Sequence, residues 1–285
     1  MKNILVAQDL SCAGQVSMSV ALPLLGAAGL RPTILPTALL STHTGGLGTN
    51  TYLDLSNELK KIINHWHSLD LKFSGVYFGY LGQQPLTIIS QYFDMLVTPQ
   101  SFVLIDPVMG DHGRLYRGFN NNYTAGMRQL VSKARIITPN ITEAAFLLGK
   151  KPTTTAISLF EAEQLLQELK ETFDIEQIVL TGVHLLNNKI AVLSYDKISQ
   201  EIWSRQVPKI PGSYFGTGDL FASVLFIMLV QKIDLKTAIS KAMDFVSHSI
   251  HSTLNMVDFN PHYGVDYAAQ LPQLLKDLAH MPRRA

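Results

Sequence analysis

A chain of 285 residues that is 47% apolar and 16% charged can bury a large core and is too apolar to stay disordered. Its 23 basic and 22 acidic residues nearly cancel, to a net charge of +1, with no basic tail or stripe, so nucleic acid is not an expected partner. A single cysteine, Cys12, excludes a disulfide scaffold within the chain and a cysteine-rich metal site.

The first apolar run soon meets Asp9, which makes it too short for a secretion signal. Residues 220–230 are too few to span a bilayer. A cytoplasmic protein without membrane contact is the expectation.

In chain order, residues 4–7 read as a buried strand, followed by a polar loop over 8–15 that carries Asp9. Residues 16–28 have helical spacing interrupted by Pro23, and Gly29 is the expected C-terminal cap. Residues 33–36 and 38–41 read as two short strands. The second runs into the flexible stretch Thr42-His43-Thr44-Gly45-Gly46-Leu47-Gly48, a candidate lid edge. Helices are expected over 55–67, 85–96 and 122–134, and strands over 73–78, 102–105 and 135–138. Pro139-Asn140-Ile141-Thr142-Glu143 opens a short helix. Ser158 opens another, with Glu161 three residues on as its capping-box partner. A strand over 178–181 precedes Gly182, and residues 190–194 and 201–207 form a hairpin. Two helices, over 219–231 and 235–253, and a final one over 267–280 complete the chain.

This alternation predicts right-handed crossovers and a mainly parallel sheet with helices on both faces, in one domain over 1–285. Ligands in such sheets bind beyond the carboxyl ends of the strands. Polar residues gather at those ends: Asp9, Gly79-Tyr80, Asp106 with Asp111, Thr138 with Asn140 and Glu143, and Thr181 with Gly182.

Gly216-Thr217-Gly218-Asp219 stands directly before a long apolar helix. Backbone N–H groups at a helix N-terminus favour an anion, and an acid in the first turn is favoured by the helix dipole. Alone, the segment fits a capped helix start equally well. Beside a carboxylate cluster of Asp106, Asp111 and Glu143 it supplies the parts phosphoryl transfer needs, with Mg²⁺ suited to the oxygen ligands. The sequence has no G-x-x-x-x-G-K-[ST] loop, no G-x-G-x-x-G after its first strand, no H-E-x-x-H and no G-x-S-x-G elbow.

These residues carry a resemblance. Gly216-Thr217-Gly218-Asp219 with its helix resembles the signature of the ribokinase-like kinases. Gly79-Tyr80-Leu81-Gly82, Asp106-Pro107-Val108-Met109-Gly110-Asp111 and Thr138-Pro139-Asn140-Ile141-Thr142-Glu143 resemble the vitamin-kinase branch, and Ser41-Thr42-His43-Thr44 is more similar to its pyridoxal kinases than to sugar kinases. The resemblance implies a ribokinase-like three-layer α/β/α sandwich with a mainly parallel central sheet, and an ATP-dependent kinase acting on the 5′-hydroxymethyl group of a vitamin B6 form. It implies Asp219 as general base and an anion hole from Gly216, Thr217 and Gly218. Asp111, Thr138, Asn140, Thr181 and Gly182 would meet ATP. Asp106 and Glu143 would serve Mg²⁺. Asp9, Thr44, Tyr80 and His43 would surround the ring, and a homodimer would be the working unit.

Asp9 departs from the pyridoxal kinase pattern, which has a serine there. Asp9-Leu10-Ser11-Cys12-Ala13-Gly14 is partly similar to the hydroxymethylpyrimidine kinases, so that substrate is the alternative. A sugar kinase of the superfamily is a third reading, opposed by Thr42-His43-Thr44 and the vitamin-branch motifs, and a non-catalytic binding protein on the same fold is a fourth.

Overall fold

Side chains alternate along β1 (Asn3–Ala13), and the alternation splits the core. Ile4 and Val6 join one apolar cluster and Leu5 and Ala7 the other, all fully buried. The protein, described by a computed structural model over residues 2–257 and 260–283, is built on this division. Met1, residues 258–259 and residues 284–285 lie outside the described residues.

After β1 come α1 (Met18–Ala27), β2 (Arg31–Thr42), β3 (Tyr52–Asp54), α2 (Ser56–Ser68) and β4 (Gly75–Phe78). Then follow α3 (Gln83–Gln91), α4 (Phe93–Leu96), β5 (Phe102–Ile105), the small hairpin β6 (Gly110–Asp111) and β7 (Arg114–Leu115), and α5 (Asn121–Val131). Next are β8 (Ile136–Ile137), α6 (Ile141–Leu147), α7 (Leu159–Thr172), β9 (Gln177–His184), β10 (Lys189–Asp196) and β11 (Glu201–Pro208). The described chain closes with α8 (Thr217–Val230), α9 (Leu235–Leu254) and α10 (Leu271–His280).

Nine strands form one sheet in the order β11-β10-β9-β8-β5-β4-β1-β2-β3. The inner six pair in parallel, while β3, β10 and β11 add antiparallel edges. One face carries α2 to α7 and the other α1, α8, α9 and α10. This is the expected α/β/α sandwich. The chain runs from β1 to β2 on one side and from β4 onward on the other, so the strand order reverses between β1 and β4. A crevice opens at such a switch point. Among the described residues no helix is long and apolar enough to cross a membrane.

Several boundaries differ from the sequence reading. Asp9 lies inside β1 and not in a loop, because Gln8 and Leu10 continue the pairing with β2 through a register shift. The two short strands expected around Pro36 are one strand, β2, since the shift accommodates the proline. The helix expected over 85–96 breaks at Tyr92 into α3 and α4. The last helix begins at Leu271, after a short 3₁₀ turn. Strand β3 and the β6–β7 hairpin are too short to leave a periodic signal. The capping box of Ser158 and Glu161 forms as expected.

Gly75 sits where β4 meets α8. A Cβ there would lie 2.9 Å from Ile4 Cδ1, 3.0 Å from Phe226 Cζ and 3.2 Å from Val230 Cγ2. Gly75→Ala is therefore expected to overpack this face and cost about 1–3 kcal/mol in a denaturant titration. A loss below about 0.5 kcal/mol would mean that α8 moves aside freely.

Candidate active site

Each parallel strand hands its polar end to its neighbour through a backbone hydrogen bond. Gly79 N–H donates to the Ala7 carbonyl at 3.1 Å, Asp106 N–H to Phe78 at 2.9 Å, Thr138 N–H to Ile105 at 3.2 Å and Thr181 N–H to Pro139 at 2.9 Å. This ladder aligns the polar segments along one edge of the sheet.

The loop before α8 reaches the same edge. Gly216 caps the helix with φ +76°, a left-handed conformation that suits glycine. A Cβ there would also lie 2.1 Å from the Gln15 carbonyl oxygen, so the loop packs directly on the segment after β1. No side chain caps α8 at this end. Its first N–H groups are thus left for a ligand, and Gly218 is open to solvent.

Asp219 keeps part of its surface open, but its carboxyl is enclosed by protein. Burial pushes it up from 3.8 to about 7; a hydrogen bond from the Ser17 backbone opposes the rise and the charge of Asp9 adds to it. Asp106 is buried and accepts the Thr138 hydroxyl at 3.0 Å. Burial and then the Asp219 charge push it up to about 8. Glu143 is also buried, with one oxygen on the Asn140 N–H at 2.9 Å and the other on the Met109 N–H at 3.2 Å. Burial and the Asp106 charge raise it, those N–H bonds oppose the rise, and Asp111 adds to it. The acids are therefore crowded enough to feel one another.

Thr138 is itself buried, its hydroxyl committed to Asp106. Asn140 caps α6 by accepting the Glu143 N–H at 2.9 Å and donates to the Gly110 carbonyl at 2.9 Å. Thr181 hydrogen-bonds the Thr138 and Pro139 carbonyls. Asp111 and Gly182 lie exposed at this end, Gly182 with φ +60°.

At the other end Asp9 is buried and accepts the Ser11 hydroxyl at 2.8 Å. Burial raises it, while Ser17, Ser11 and the neighbouring His43 pull the other way. Burial, then the charges of Tyr52 and Asp9, raise Tyr80, whose ring stacks on Phe119 with centroids 5.2 Å apart. The His43 ring lies 4.6 Å from that of Phe215, next to Gly216, and Thr44 follows it half-buried.

Two contributors escaped the sequence reading. The phenol of Tyr116 lies close enough to Glu143, Asp111, Asp219 and Asp106 for all four charges, after burial, to hold its proton on. Only the undetected β6–β7 hairpin brings it there. The turn Pro261–Tyr263 closes over Gln15, whose N–H donates to the Tyr263 carbonyl at 2.7 Å, and the His43 ring reaches the His262 carbonyl. No motif marks that turn.

Comparisons with known proteins agree with this fold. A family profile described as phosphomethylpyrimidine kinase matches residues 26–263. The fold is similar to a crystal structure of pyridoxal kinase from Lactobacillus plantarum, at TM-score 0.89 and 32% identity, covering 99% of this chain and 100% of that one. It is equally similar to a Bacteroides thetaiotaomicron protein provisionally named phosphomethylpyrimidine kinase and crystallised with pyridoxal, at TM-score 0.88 and 33% identity, covering 100% and 98%. A Bordetella avium pyridoxine/pyridoxal/pyridoxamine kinase is 24% identical over 253 residues, 84% of this chain and 81% of its own. The Leishmania donovani pyridoxal kinase, solved with ADP and pyridoxamine, shares the fold at TM-score 0.80 and 21% identity, covering 96% of each chain.

The two numbered acids set a pH dependence. Their folded pKa values lie above the unfolded 3.8, so the native state binds protons more tightly. Their contribution to stability without divalent ions is expected to be full below about pH 4 and to be lost as pH rises toward about 8. Asp106→Asn, which cannot ionise, should flatten that fall in denaturation at pH about 5 and about 9. An unchanged slope would show that Asp106 is not the titrating group.

Proposed function

The chain belongs to the phosphomethylpyrimidine kinase family, and on that premise we propose that it transfers the γ-phosphate of ATP to the 5′-hydroxymethyl group of pyridoxal, and also of pyridoxine and pyridoxamine. One observation carries the reading: a helix start that no described side chain caps stands beside Asp219, a carboxyl pushed up to about 7. A base with that pKa is matched to accepting a proton near neutral pH. Kinase activity on this vitamer class is further supported by the pyridoxal kinase relatives of similar length.

In this reading Asp219 takes the proton of the attacking hydroxyl. The N–H groups of Gly216, Thr217 and Gly218 hold the transferring phosphoryl oxygens. Asp111, Asn140, Thr181 and Gly182 flank the nucleotide, and Thr138 holds Asp106 in place. Asp9, Tyr80, Thr44 and His43 enclose the ring. The crowded, mutually raised carboxyls fit a divalent cation, whose charge would relieve them. Mg²⁺, which keeps most of its waters, would take Asp106 and Glu143 as its carboxylates. Bound there, Mg²⁺ supplies charge neutralisation for the phosphates.

A second reading, hydroxymethylpyrimidine as substrate, is favoured by the buried acid Asp9 at the ring end. The whole of 1–285 is then one kinase domain working as a homodimer. The exposed Leu39 and Leu53, register partners on β2 and β3, leave apolar surface at the sheet edge that a second copy would cover. Light scattering should give twice the chain mass and, for Leu53→Lys, a shift toward the chain mass; a wild type at the chain mass would end the dimer reading.

Asp219→Asn is expected to lower kcat by at least ~10²-fold with little change in KM for ATP. A loss of only a few fold would remove Asp219 as the base. Turnover with Mg-ATP should be highest on a vitamin B6 form. A preference for hydroxymethylpyrimidine would establish the second reading, and no ADP release with any alcohol would establish a binding protein.

A further inference from the structure

Three polar side chains beneath the base have no part in the mechanism above. Gln8 of β1, Tyr77 of β4 and Ser223 of α8 are all completely buried. Ser223 lies one helical turn beyond Asp219, on the same side of α8. Tyr77 pairs with Val6 in the sheet and stacks its ring on Phe226 of α8, with centroids 5.7 Å apart. Its hydroxyl lies beside the Gln8 amide and the Ser223 hydroxyl, within electrostatic reach of Asp106 and Asp219. Gln8 is held at the switch point: a Cβ on Gly79 would lie 2.8 Å from its side-chain atoms.

Among the described residues, the four polar atoms of this cluster have no partner at hydrogen-bond geometry: Gln8 Oε1, Gln8 Nε2, the Tyr77 hydroxyl and Ser223 Oγ. Each such buried group, left unpaired, costs about 1–3 kcal/mol. Phe at 77 and Ala at 223 would fill nearly the same space without that cost. Four atoms of mixed donor and acceptor character also match the bonding capacity of one buried water, which takes about three partners.

We propose that these atoms hold one buried water, and that Gln8, Tyr77 and Ser223 act through it as positioning residues that brace the first turn of α8 and fix the Asp219 carboxyl. The cluster ties β1, β4 and α8 together at the level of the base. A small displacement there moves the reacting groups, and misplacement of about 1 Å can cost up to ~10²-fold.

The inference rests on Asp219 being the base. The test is steady-state kinetics with Mg-ATP and pyridoxal on Tyr77→Phe, Ser223→Ala and their combination, with thermal melting of each and Asp219→Asn alongside. Each single variant is expected to lower kcat about tenfold, with KM for ATP and pyridoxal changed by less than about twofold and the melting temperature lowered only slightly. The combination should lose little more than the worse single variant, because both act through one water. Unchanged kcat with raised melting temperatures would show unpaired groups of no catalytic use and overturn the proposal. A kcat loss that only tracks a fall in melting temperature in both single variants would overturn it equally. Activity surviving in Asp219→Asn removes the base itself, whereas an inactive Asp219→Asn beside a fully active Tyr77→Phe and Ser223→Ala removes this inference alone.

Discussion

Like charges in low-dielectric surroundings repel, and the cleft strings them in a row. Asp9 acts on Asp219, Asp219 on Asp106, Asp106 on Glu143, and Asp111 on Glu143. The row runs along the carboxyl edge of the sheet from β1 to α6. Burial is the largest influence on Asp9, Asp219, Asp106 and Glu143, so all four hold protons above the ordinary carboxyl range. Donors offset part of the cost at each step: Ser11 and Ser17 on Asp9, the Ser17 backbone on Asp219, Thr138 on Asp106, and the Asn140 and Met109 N–H groups on Glu143. A scaffold that could relax would separate these acids. This one is held by six parallel strands with apolar clusters on both faces.

The same sheet explains where the row lies. Strand order reverses between β1 and β4, and the register shift at Gln8 and Leu10 turns β1 just where Asp9 must enter the crevice. The helix α8 comes from the opposite face to α6, which carries Glu143. Gly216 lets it approach the Gln15 carbonyl closely enough to bring Asp219 into the row. A Cβ at that position would push the loop, and with it Asp219, out of line.

Much of this was legible from residue patterns. Alternation of strands and helices gave the layered sheet, and the polar segments at strand ends fall together along one edge of it. Short range set the limit. Strand β3 and the β6–β7 hairpin span two or three residues each, below any period, and Tyr116 was lost with the hairpin. Asp9 reads as loop because Ser11, Cys12 and Gly14 follow it; pairing with β2 keeps it in the strand. Burial of Gln8, Tyr77 and Ser223 together is a tertiary fact, since 69 residues of chain separate Gln8 from Tyr77 and 146 separate Tyr77 from Ser223.

The row of acids also joins substrate choice to chemistry. The charge of Asp9 is one of the influences that raise Asp219. A positively charged ring group paired with Asp9 would offset that charge and lower Asp219 toward its ionised form. In the proposed reading, with Asp219 as base and Asp9 at the ring, a ring carrying a positive charge would ready the base more than an alcohol that merely fits. A cation at Asp106 would act on Asp219 from the other side in the same direction. Ring and nucleotide would then each move Asp219 toward the state that accepts a proton.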